Sequence, residues 1–352
     1  MGQPLTEPSS DRPYDVLVTG SSGHLGTALM LQLPQLGFRP LGIDIIPPSP
    51  HIPDTLTGSI FDKAFISSLL AENPSIQHII HAATLHKPHV ESHATQAFID
   101  TNITGTLTLL EAAAAHLLPH LQSFIFISTT STFGAALSPG SGLPAAWIDE
   151  SVTPKPKNIY GVTKCAAEDL CFLAHKNLKL PILVLRTSRF FPEEDDDEER
   201  RSCMAEDNLK ALELTYRRVD IADIVSACHC GMLKAKDIRW GKYIISAPPP
   251  FRERDEDTLR ALNDGQRFAE VLAQVTPNVE DVFRSKGWTL LGRIDRVYDS
   301  SKAVKELGWE PEYTFERTVE RIGKGEEWRS PLTLQVGRKG YHAVSTGVYT
   351  KR

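Results

Sequence analysis

The 352-residue sequence predicts an α/β fold with a doubly wound parallel sheet and a smaller C-terminal subdomain. Three observations lead to this prediction. Short apolar runs alternate with helical segments from Tyr14 to Arg186, a glycine-rich turn joins the first run to the first helix, and the regularity fades after Arg186. Alternating strands and helices are typical of a parallel sheet that is covered on both faces by its crossover helices.

The elements up to Arg186 follow from hydrophobic periodicity. Strands are assigned to short runs of apolar residues, and helices to segments whose apolar residues recur at three and four positions. The predicted strands are residues 16–18, 40–44, 77–82, 123–128 and 182–186. The predicted helices are residues 25–36, 60–71, 95–117 and 160–176.

Fewer elements can be assigned after Arg186. Residues 221–233 form an apolar helical pattern, and residues 242–246 are expected to be a late strand that returns to the sheet. Residues 301–307 predict a short helix that ends at Gly308, because glycine is favoured at this position. The charged run 193–201 is expected to be a solvated loop.

The overall composition excludes several classes of protein. With 41% apolar residues, 23% charged residues and a net charge of −6, the chain resembles a globular protein without a basic face. We therefore expect no nucleic acid and no membrane as partners. Five cysteines do not indicate a disulfide framework, and Cys228 and Cys230 are expected to be packed thiols. The polar N-terminus lacks the apolar core of a signal peptide, which favours a cytoplasmic protein.

The turn from Thr19 to Gly26 reads TGSSGHLG and lies between the first predicted strand and the first helix. Its three glycines let the backbone approach a pyrophosphate, and the following helix directs its positive N-terminus at that group. This context predicts a dinucleotide-binding, Rossmann-type sheet. The residues expected to contact the dinucleotide here are Gly20, Ser22, Gly23, His24, Leu25 and Gly26.

Asp44 ends the second predicted strand, 24 residues after Gly20. A carboxylate at this position can accept hydrogen bonds from both ribose hydroxyls and would repel a 2′-phosphate. No basic residue directly follows it to hold such a phosphate, so NAD is favoured over NADP. The alternative is that Asp44 only caps the turn that follows it.

Tyr160 and Lys164 are four residues apart on a predicted helix and therefore point in the same direction. A lysine ammonium near a phenol favours the phenolate, so the tyrosine can exchange a proton with a substrate oxygen. Upstream, residues 128–132 place five hydroxyl side chains at the end of a strand. The carboxyl ends of parallel strands face the cofactor crevice, where one hydroxyl can hold the substrate oxygen.

Together these motifs resemble the extended short-chain dehydrogenase/reductase group, of the NAD-dependent epimerase/dehydratase type. The matching segments are TGSSGHLG, Asp44, His81-Ala82-Ala83, Asn102 within DTNITGT, STTSTFG, YGVTK and DSSKAVKELGWEP. The resemblance implies an NAD-binding Rossmann domain over residues 13–186 and a substrate-binding subdomain over residues 187–330. Residues 1–12 are expected to be a disordered tail, and residues 331–352 a second tail.

The same resemblance implies a role for individual residues. Thr129 matches the catalytic Ser/Thr, Tyr160 the acid/base, and Lys164 the lysine that also binds the nicotinamide ribose. Ala82 and Ala83 would let the cofactor lie close to the backbone. Asn102 would support the active-site strand and belongs to the cofactor site. Members of the family usually form homodimers through their two long helices, here residues 95–117 and 160–176.

The sequence also departs from the family. Thr130 and Ser131 replace the Asp-Glu pair of the dehydratases, which argues against water elimination. Arg189 stands where the family has an asparagine near the nucleotide diphosphate, so a nucleotide-sugar substrate is in doubt, although an arginine can hold a phosphate or carboxylate. The residues proposed to contact substrate are His86, Thr130, Arg189 and Arg218.

A group of arginines and a group of histidines remain, and neither predicts a specific ligand. Arg217, Arg218, Arg293 and Arg296 are each expected to be surface ion-pair residues, and as a group they only weakly suggest an anionic substrate. The histidines between His81 and His93 lack the spacing of a metal site, so no metal is expected.

The sequence therefore predicts an enzyme that transfers hydride between NAD and a secondary alcohol or ketone, possibly of a sugar or sugar nucleotide. It leaves open whether this enzyme is a dehydrogenase, a reductase or an epimerase. The alternative is a non-catalytic NAD(P)-binding regulatory protein. Such a protein usually lacks the catalytic tyrosine or lysine, and this chain has both.

Overall fold

The computed structural model describes residues 12–47, 52, 54–137, 139–190, 202–252 and 254–339. A seven-stranded sheet forms its centre, with the strand order β10-β7-β5-β4-β1-β2-β3. These strands are β1 (Val16–Thr19), β2 (Pro40–Asp44), β3 (Thr55–Thr57), β4 (His78–His81), β5 (Ser123–Thr129), β7 (Ile182–Thr187) and β10 (Trp240–Ile245). The predicted Rossmann-type α/β fold is confirmed.

The register of the sheet fixes where its chemistry lies. Strand β1 pairs in parallel with β2 and with β4, so Thr19 lies opposite Ile43 and His81. Strands β1, β4, β5 and β7 are completely buried, because helices cover both faces. The carboxyl ends of β1, β2 and β4 therefore meet at one edge of the sheet, where this fold binds its ligands.

The helices before Arg186 differ from the prediction mainly at their ends. Asp62 accepts hydrogen bonds from the N–H groups of Ala64 and Phe65, so the second helix begins at Lys63 and not at residue 60. The predicted helix 95–117 is interrupted by a π-helical segment, Ile99–Thr104. The helices of this half are α1 (His24–Gln32), α2 (Lys63–Glu72), α3 (Thr95–Phe98), α4 (Gly105–His116) and α5 (Ile159–Leu178).

The later part of the chain contains more structure than periodicity indicates. Two small parallel sheets pair β6 (Ala146–Ile148) with β11 (Arg296–Tyr298), and β8 (Arg189–Phe190) with β9 (Arg218–Val219). Its helices are α6 (Glu206–Glu213), α7 (Ile221–Ile238), α8 (Glu256–Leu262), α9 (Phe268–Val275), α10 (Val279–Ser285), α11 (Ser301–Leu307), α12 (Phe315–Gly323) and α13 (Pro331–Val336). Among the described residues, no helix has the length and apolar composition needed to cross a membrane.

Two compact units divide the chain. The first comprises residues 1–127, 166–184 and 231–241, and the second the remaining segments. In the first unit, Leu17, Ile79 and Phe124 belong to a core that helices α2, α4 and α5 also supply. The core of the second unit includes Leu212, Phe283 and other residues of the later helices. The units interleave along the chain more than the sequence predicts, because residues 128–165 belong to the second unit and residues 231–241 to the first.

The C-terminal prediction needs a correction, because residues 331–336 form helix α13 and not a tail. Asp220 holds the start of this helix: it accepts hydrogen bonds from the backbone N–H of Ser330 at 3.0 Å and from the hydroxyls of Ser330 and Thr333 at 2.5 and 3.0 Å. Residues 1–11, the charged run and residues 340–352 lie outside the described residues. Cys228 is completely buried in α7, as expected of a packed thiol.

Asp223 anchors a second segment of the same unit and gives it a pH dependence. Its two carboxylate oxygens accept hydrogen bonds from the backbone N–H groups of Glu312 and Tyr313, at 2.8 and 2.9 Å. Burial above all, together with the neighbouring carboxyls of Asp220 and Glu312, raises the pKa of Asp223 from 3.8 to about 7. Asp223 therefore titrates near neutral pH in the folded protein.

We expect Asp223 to make the protein less stable as the pH rises toward 7. The folded-state pKa lies above the unfolded value, so the contribution of Asp223 to the free energy of unfolding is full below about pH 4 and is lost by about pH 7. Between about pH 5 and pH 7, the Tm of the wild type should fall more steeply than that of Asp223→Asn. Calorimetry over this range measures both slopes, and equal slopes would contradict the assignment.

Candidate active site

The glycine-rich turn follows β1 and is held in a conformation that only glycine fits. Gly20 has a φ of +75°, and a Cβ at this position would lie 2.7 Å from the backbone N of Ala83. A Cβ at Gly26 would lie 1.9 Å from the carbonyl oxygen of Gly20. The turn therefore packs against the segment after β4 on one side and against α1 on the other, without side chains between them.

Helix α1 begins directly after this turn. Gly23 is its N-cap and supplies no capping side chain, and Thr27 N–H donates to Gly23 O at 2.9 Å. The side chains of His24 and Leu25 are buried, at 4% and 6% exposure, so contacts of these residues with a pyrophosphate would come from their backbone N–H groups. A helix N-terminus of this kind attracts phosphate through its dipole and its N–H groups.

Asp44 ends β2 beside the turn. Its carboxylate accepts hydrogen bonds from the backbone N–H groups of Ser22 and Ile46, each at 2.9 Å. Asp44 thus caps the following turn, as the alternative interpretation expects, and also ties that turn to the glycine-rich segment. A carboxylate has about four acceptor positions, so capping a turn does not prevent such a group from also accepting hydrogen bonds from ribose hydroxyls.

The segment after β4 is fixed by two side chains. Ala83 N–H donates to Thr19 Oγ1 at 3.1 Å, while Ala82 N–H donates to the backbone of Thr19 at 3.2 Å. Asn102, only 2% exposed, accepts a hydrogen bond from Leu85 N–H and donates one to Leu85 O, both at 2.9 Å. This geometry gives Asn102 a positioning role, since its amide binds the segment itself.

Thr129, Tyr160 and Lys164 lie in the second unit. Thr129 is the last residue of β5, and its hydroxyl accepts a hydrogen bond from Ser131 N–H at 3.1 Å. Tyr160 and Lys164 lie one turn apart at the start of α5, as predicted. All three side chains are buried, at 8%, 8% and 2% exposure. Enclosed groups of this kind can exchange protons away from bulk water.

Two glycines bring the segments around Tyr160 close together. A Cβ at Gly161 would lie 2.8 Å from Pro156 Cβ and 3.0 Å from Ser131 O, and a Cβ at Gly134 would lie 2.3 Å from Lys155 O. Asn158 Oδ1 accepts a hydrogen bond from Gly161 N–H at 3.0 Å. The backbone that carries Tyr160 is therefore packed directly on the turn that follows Thr129.

Arg218 does not have the environment expected of a substrate contact. Its side chain is fully buried, with Nε 2.7 Å from Glu213 Oε2 and Nη1 3.2 Å from Phe190 O. Arg217 and Arg189 approach the other oxygen of the same carboxylate. The structure thus assigns Arg218 to an ion pair that joins α6 to the β8–β9 sheet, because an uncompensated Glu213 carboxylate would be costly to bury. Arg189, whose side chain is 18% exposed, keeps partial access to solvent.

The other proposed substrate residues have different environments. Thr130 is 8% exposed and starts the short turn Thr130–Thr132. His86 is half-buried, and its Nδ1 lies 3.0 Å from the Nδ1 of His89. Within the part of the chain that the structure describes, no group of three or more His, Cys, Asp or Glu side chains could hold a metal ion.

Sequence reasoning missed Thr19 and Thr106 as residues that shape this region. Both are buried hydroxyls that bind His81, at 2.7 Å from its Nδ1 and 2.9 Å from its Nε2, respectively. A threonine at a strand end or within a helix is too common to be noticed in one sequence. The predicted TGSSGHLG and DTNITGT segments each contain one of them.

Comparison with known proteins places these motifs in one family. The model of the NAD dependent epimerase/dehydratase family matches residues 16–238, which is more than half of the chain. A dTDP-glucose 4,6-dehydratase of Xanthomonas campestris is 26% identical over 337 residues, covering 86% of this chain and 90% of its own. A UDP-glucose 4-epimerase of Rhizobium meliloti is 32% identical over 159 residues, covering 44% of this chain and 45% of its own.

Solved structures show the same fold. A UDP-glucuronic acid 4-epimerase of Bacillus cereus, determined in complex with NAD, matches with a TM-score of 0.58 and 21% identity. The match covers 92% of this chain and 99% of the epimerase. The fold similarity thus extends beyond the sheet into the later helices.

Proposed function

The chain belongs to the NAD dependent epimerase/dehydratase family, and from this premise we propose that it transfers hydride between NAD and the carbon of a secondary alcohol or ketone, with Tyr160 as the acid/base. The observation that carries the proposal is the buried Tyr160–Lys164 pair on one turn of α5. A protein that had lost catalysis would have no need to keep both groups.

The residues of the first unit fit the dinucleotide. The cradle formed by Gly20 and Gly26, which a Cβ would fill, together with the N-terminus of α1, would hold the pyrophosphate. Asp44 would accept hydrogen bonds from the adenosine ribose, and Ala82 and Ala83 would lie along the cofactor. When bound, NAD supplies a hydride acceptor and NADH a hydride donor.

The chemistry of the second unit is proton transfer. In the oxidative direction the Tyr160 phenolate accepts the proton of the substrate hydroxyl, while the carbon loses its hydride. The Lys164 ammonium stabilises the phenolate, and the Thr129 hydroxyl donates a hydrogen bond to the substrate oxygen. In the reductive direction Tyr160 returns the proton to the oxygen as the carbon regains a hydride.

We propose that water elimination is not part of the reaction, although one of the relatives is a dehydratase. A dehydratase needs an acid and a base beyond the tyrosine, and the two residues after Thr129 are Thr130 and Ser131, which are poor acids and bases. Incubation with dTDP-glucose should therefore give no dehydrated product by mass spectrometry.

A ligand panel followed by a turnover assay tests the proposed function. Thermal shift with NAD, NADP, UDP-glucose, UDP-glucuronic acid and dTDP-glucose identifies what the chain binds, because a ligand stabilises the state it binds. An epimerase should convert one sugar nucleotide into another without net NADH, whereas a dehydrogenase should release NADH. Binding of NAD without turnover on any secondary alcohol would favour a regulatory protein.

Asp44→Ala is expected to raise the Kd for NAD by about tenfold and to reduce the preference for NAD over NADP. The substitution removes the acceptor for the ribose hydroxyls and the negative charge that repels a 2′-phosphate. Calorimetric titration of both dinucleotides gives the two Kd values. Asp54→Ala is the matched control, because Asp54 accepts a hydrogen bond from Tyr14 on the surface. An unchanged NAD/NADP ratio would remove Asp44 from the ribose site.

We further propose that the chain forms a homodimer through α4 and α5, the two long helices of the family resemblance. Leu107 of α4 and Leu173 of α5 are 38% and 52% exposed, so each of these helices presents an apolar side chain that a partner helix could cover. The double variant Leu107→Glu/Leu173→Glu should then be monomeric by light scattering. Leu233→Glu is the control, because Leu233 is 57% exposed on α7; a dimer in both variants would contradict the proposal.

A further inference from the structure

A buried chain of hydrogen bonds joins the glycine-rich turn, β4 and α4. Its centre is His81, the last residue of β4, which is 1% exposed. Its Nδ1 lies 2.7 Å from Thr19 Oγ1, and its Nε2 lies 2.9 Å from Thr106 Oγ1. Thr19 in turn accepts a hydrogen bond from Ala83 N–H, and Thr106 donates one to Asn102 O. Thr19, Thr106 and Asn102 are at most 2% exposed.

The donors and acceptors in this series of hydrogen bonds assign the tautomer of His81. The hydroxyl proton of Thr106 is directed at Asn102 O, at 2.7 Å, so Thr106 accepts a hydrogen bond from the Nε2–H of His81. The other ring nitrogen is then an acceptor for the hydroxyl of Thr19. A neutral imidazole therefore satisfies both threonines in the core without burying a charge.

This series of hydrogen bonds reaches the segment that follows β4 at both of its ends. Through Thr19, His81 holds the amide of Ala83, on whose backbone Gly20 packs. Through Thr106, it is linked to Asn102, whose side chain binds Leu85. Asn102 lies in the π-helical segment Ile99–Thr104, a distortion of the helix that is frequent at functional sites.

We propose that His81 is a positioning residue for the cofactor: as the neutral Nε2–H tautomer, it fixes the Ala82–Leu85 segment against the glycine-rich turn and so sets the affinity for NAD. This inference rests on the proposed function, in which NAD binds at that turn. His81 touches neither cofactor nor substrate. It acts through Thr19 and Ala83, and the arm through Thr106 and Asn102 supports the same segment from the helix.

Substitutions of His81 separate the two arms. His81→Leu removes both hydrogen bonds at similar volume and should raise the Kd for NAD by about tenfold. His81→Asn keeps an acceptor near the position of Nδ1, and His81→Gln keeps a donor near that of Nε2. Because the arm through Thr19 holds Ala83, His81→Asn should retain most of the affinity, whereas His81→Gln should resemble His81→Leu. Calorimetric titration with NAD measures all three.

A second buried histidine on the same strand gives the control. His78 lies at the opposite end of β4, is 9% exposed, and its Nδ1 binds Ser123 Oγ at 2.9 Å. His78→Leu should lower the Tm of the NAD-free protein as His81→Leu does, but leave the Kd for NAD unchanged. A purely structural role of His81 would make the two variants equal in both measurements and would overturn the proposal.

The remaining outcomes are also decisive. If His81→Leu does not fold, Thr106→Val and His81→Asn test the two arms with less disturbance, and Thr106→Val should raise the Kd for NAD about threefold. Wild-type affinity in His81→Leu, or in both His81→Gln and Thr106→Val, would refute the positioning role. A wild-type protein that does not bind NAD would refute the proposed function instead.

Discussion

Tyr160→Phe is expected to lower kcat by about 10²- to 10⁴-fold, the range that a positioned general acid or base contributes. The substitution removes only the hydroxyl that exchanges the proton and keeps the ring, which is 8% exposed and packed at the start of α5. We expect NAD affinity and Tm to stay close to those of the wild type, because the glycine-rich turn and Asp44 bind the dinucleotide. The variant should therefore be folded, loaded with cofactor and inactive.

Steady-state turnover on the substrate found by the ligand panel measures this effect, with Tm and the Kd for NAD as parallel readouts. Tyr14→Phe is the control, since its hydroxyl binds Asp54 on the surface and has no proposed role in the reaction. Lys164→Met should also lower kcat and should in addition lower the affinity for NAD, because the family resemblance implies that this lysine binds the nicotinamide ribose. Full activity of Tyr160→Phe would mean that another group carries the proton.

The parts of this protein that sequence predicts best are those where the chemistry permits few residue types. Gly20 and Gly26 are recognisable because a Cβ at either position would lie less than 3 Å from backbone atoms, of Ala83 and of Gly20 respectively. The Tyr160–Lys164 spacing is recognisable because one helical turn must bring a phenol and an ammonium to the same face. Strands β1, β4, β5 and β7 were visible because burial on both faces requires continuous apolar runs.

Other features depend on contacts between residues far apart in the sequence. An ion pair is expected for Arg218, but neither residue alone indicates that its partner is Glu213 or that the pair is buried. Helix α13 has too few residues for a periodic signal and is fixed by Asp220, 110 residues away from Ser330. The His81 network is likewise invisible in the sequence, since its hydrogen bonds connect two strands and a helix.

Gly26→Ala is expected to destabilise the protein and to lower its affinity for NAD strongly, although alanine is the better helix former. In an unconstrained helix this substitution would stabilise by about 1 kcal/mol. Here the added Cβ would lie 1.9 Å from Gly20 O and 2.6 Å from both Gly20 C and Ser21 Cα, all of them backbone atoms. Since the backbone cannot rotate away as a side chain can, α1 has to shift from the turn, at a net cost of about 1–3 kcal/mol.

The same shift removes the geometry on which pyrophosphate binding depends. If α1 moves away from Gly20, its first N–H groups no longer converge on the turn, and the Kd for NAD should rise by more than about tenfold. Chemical denaturation and NAD titration of Gly26→Ala measure the two effects. Gly292→Ala is the matched control, because Gly292 has no atom within 4 Å of its Cβ position. Wild-type NAD affinity in Gly26→Ala would show that the close approach of α1 to the turn is not what builds the cofactor site.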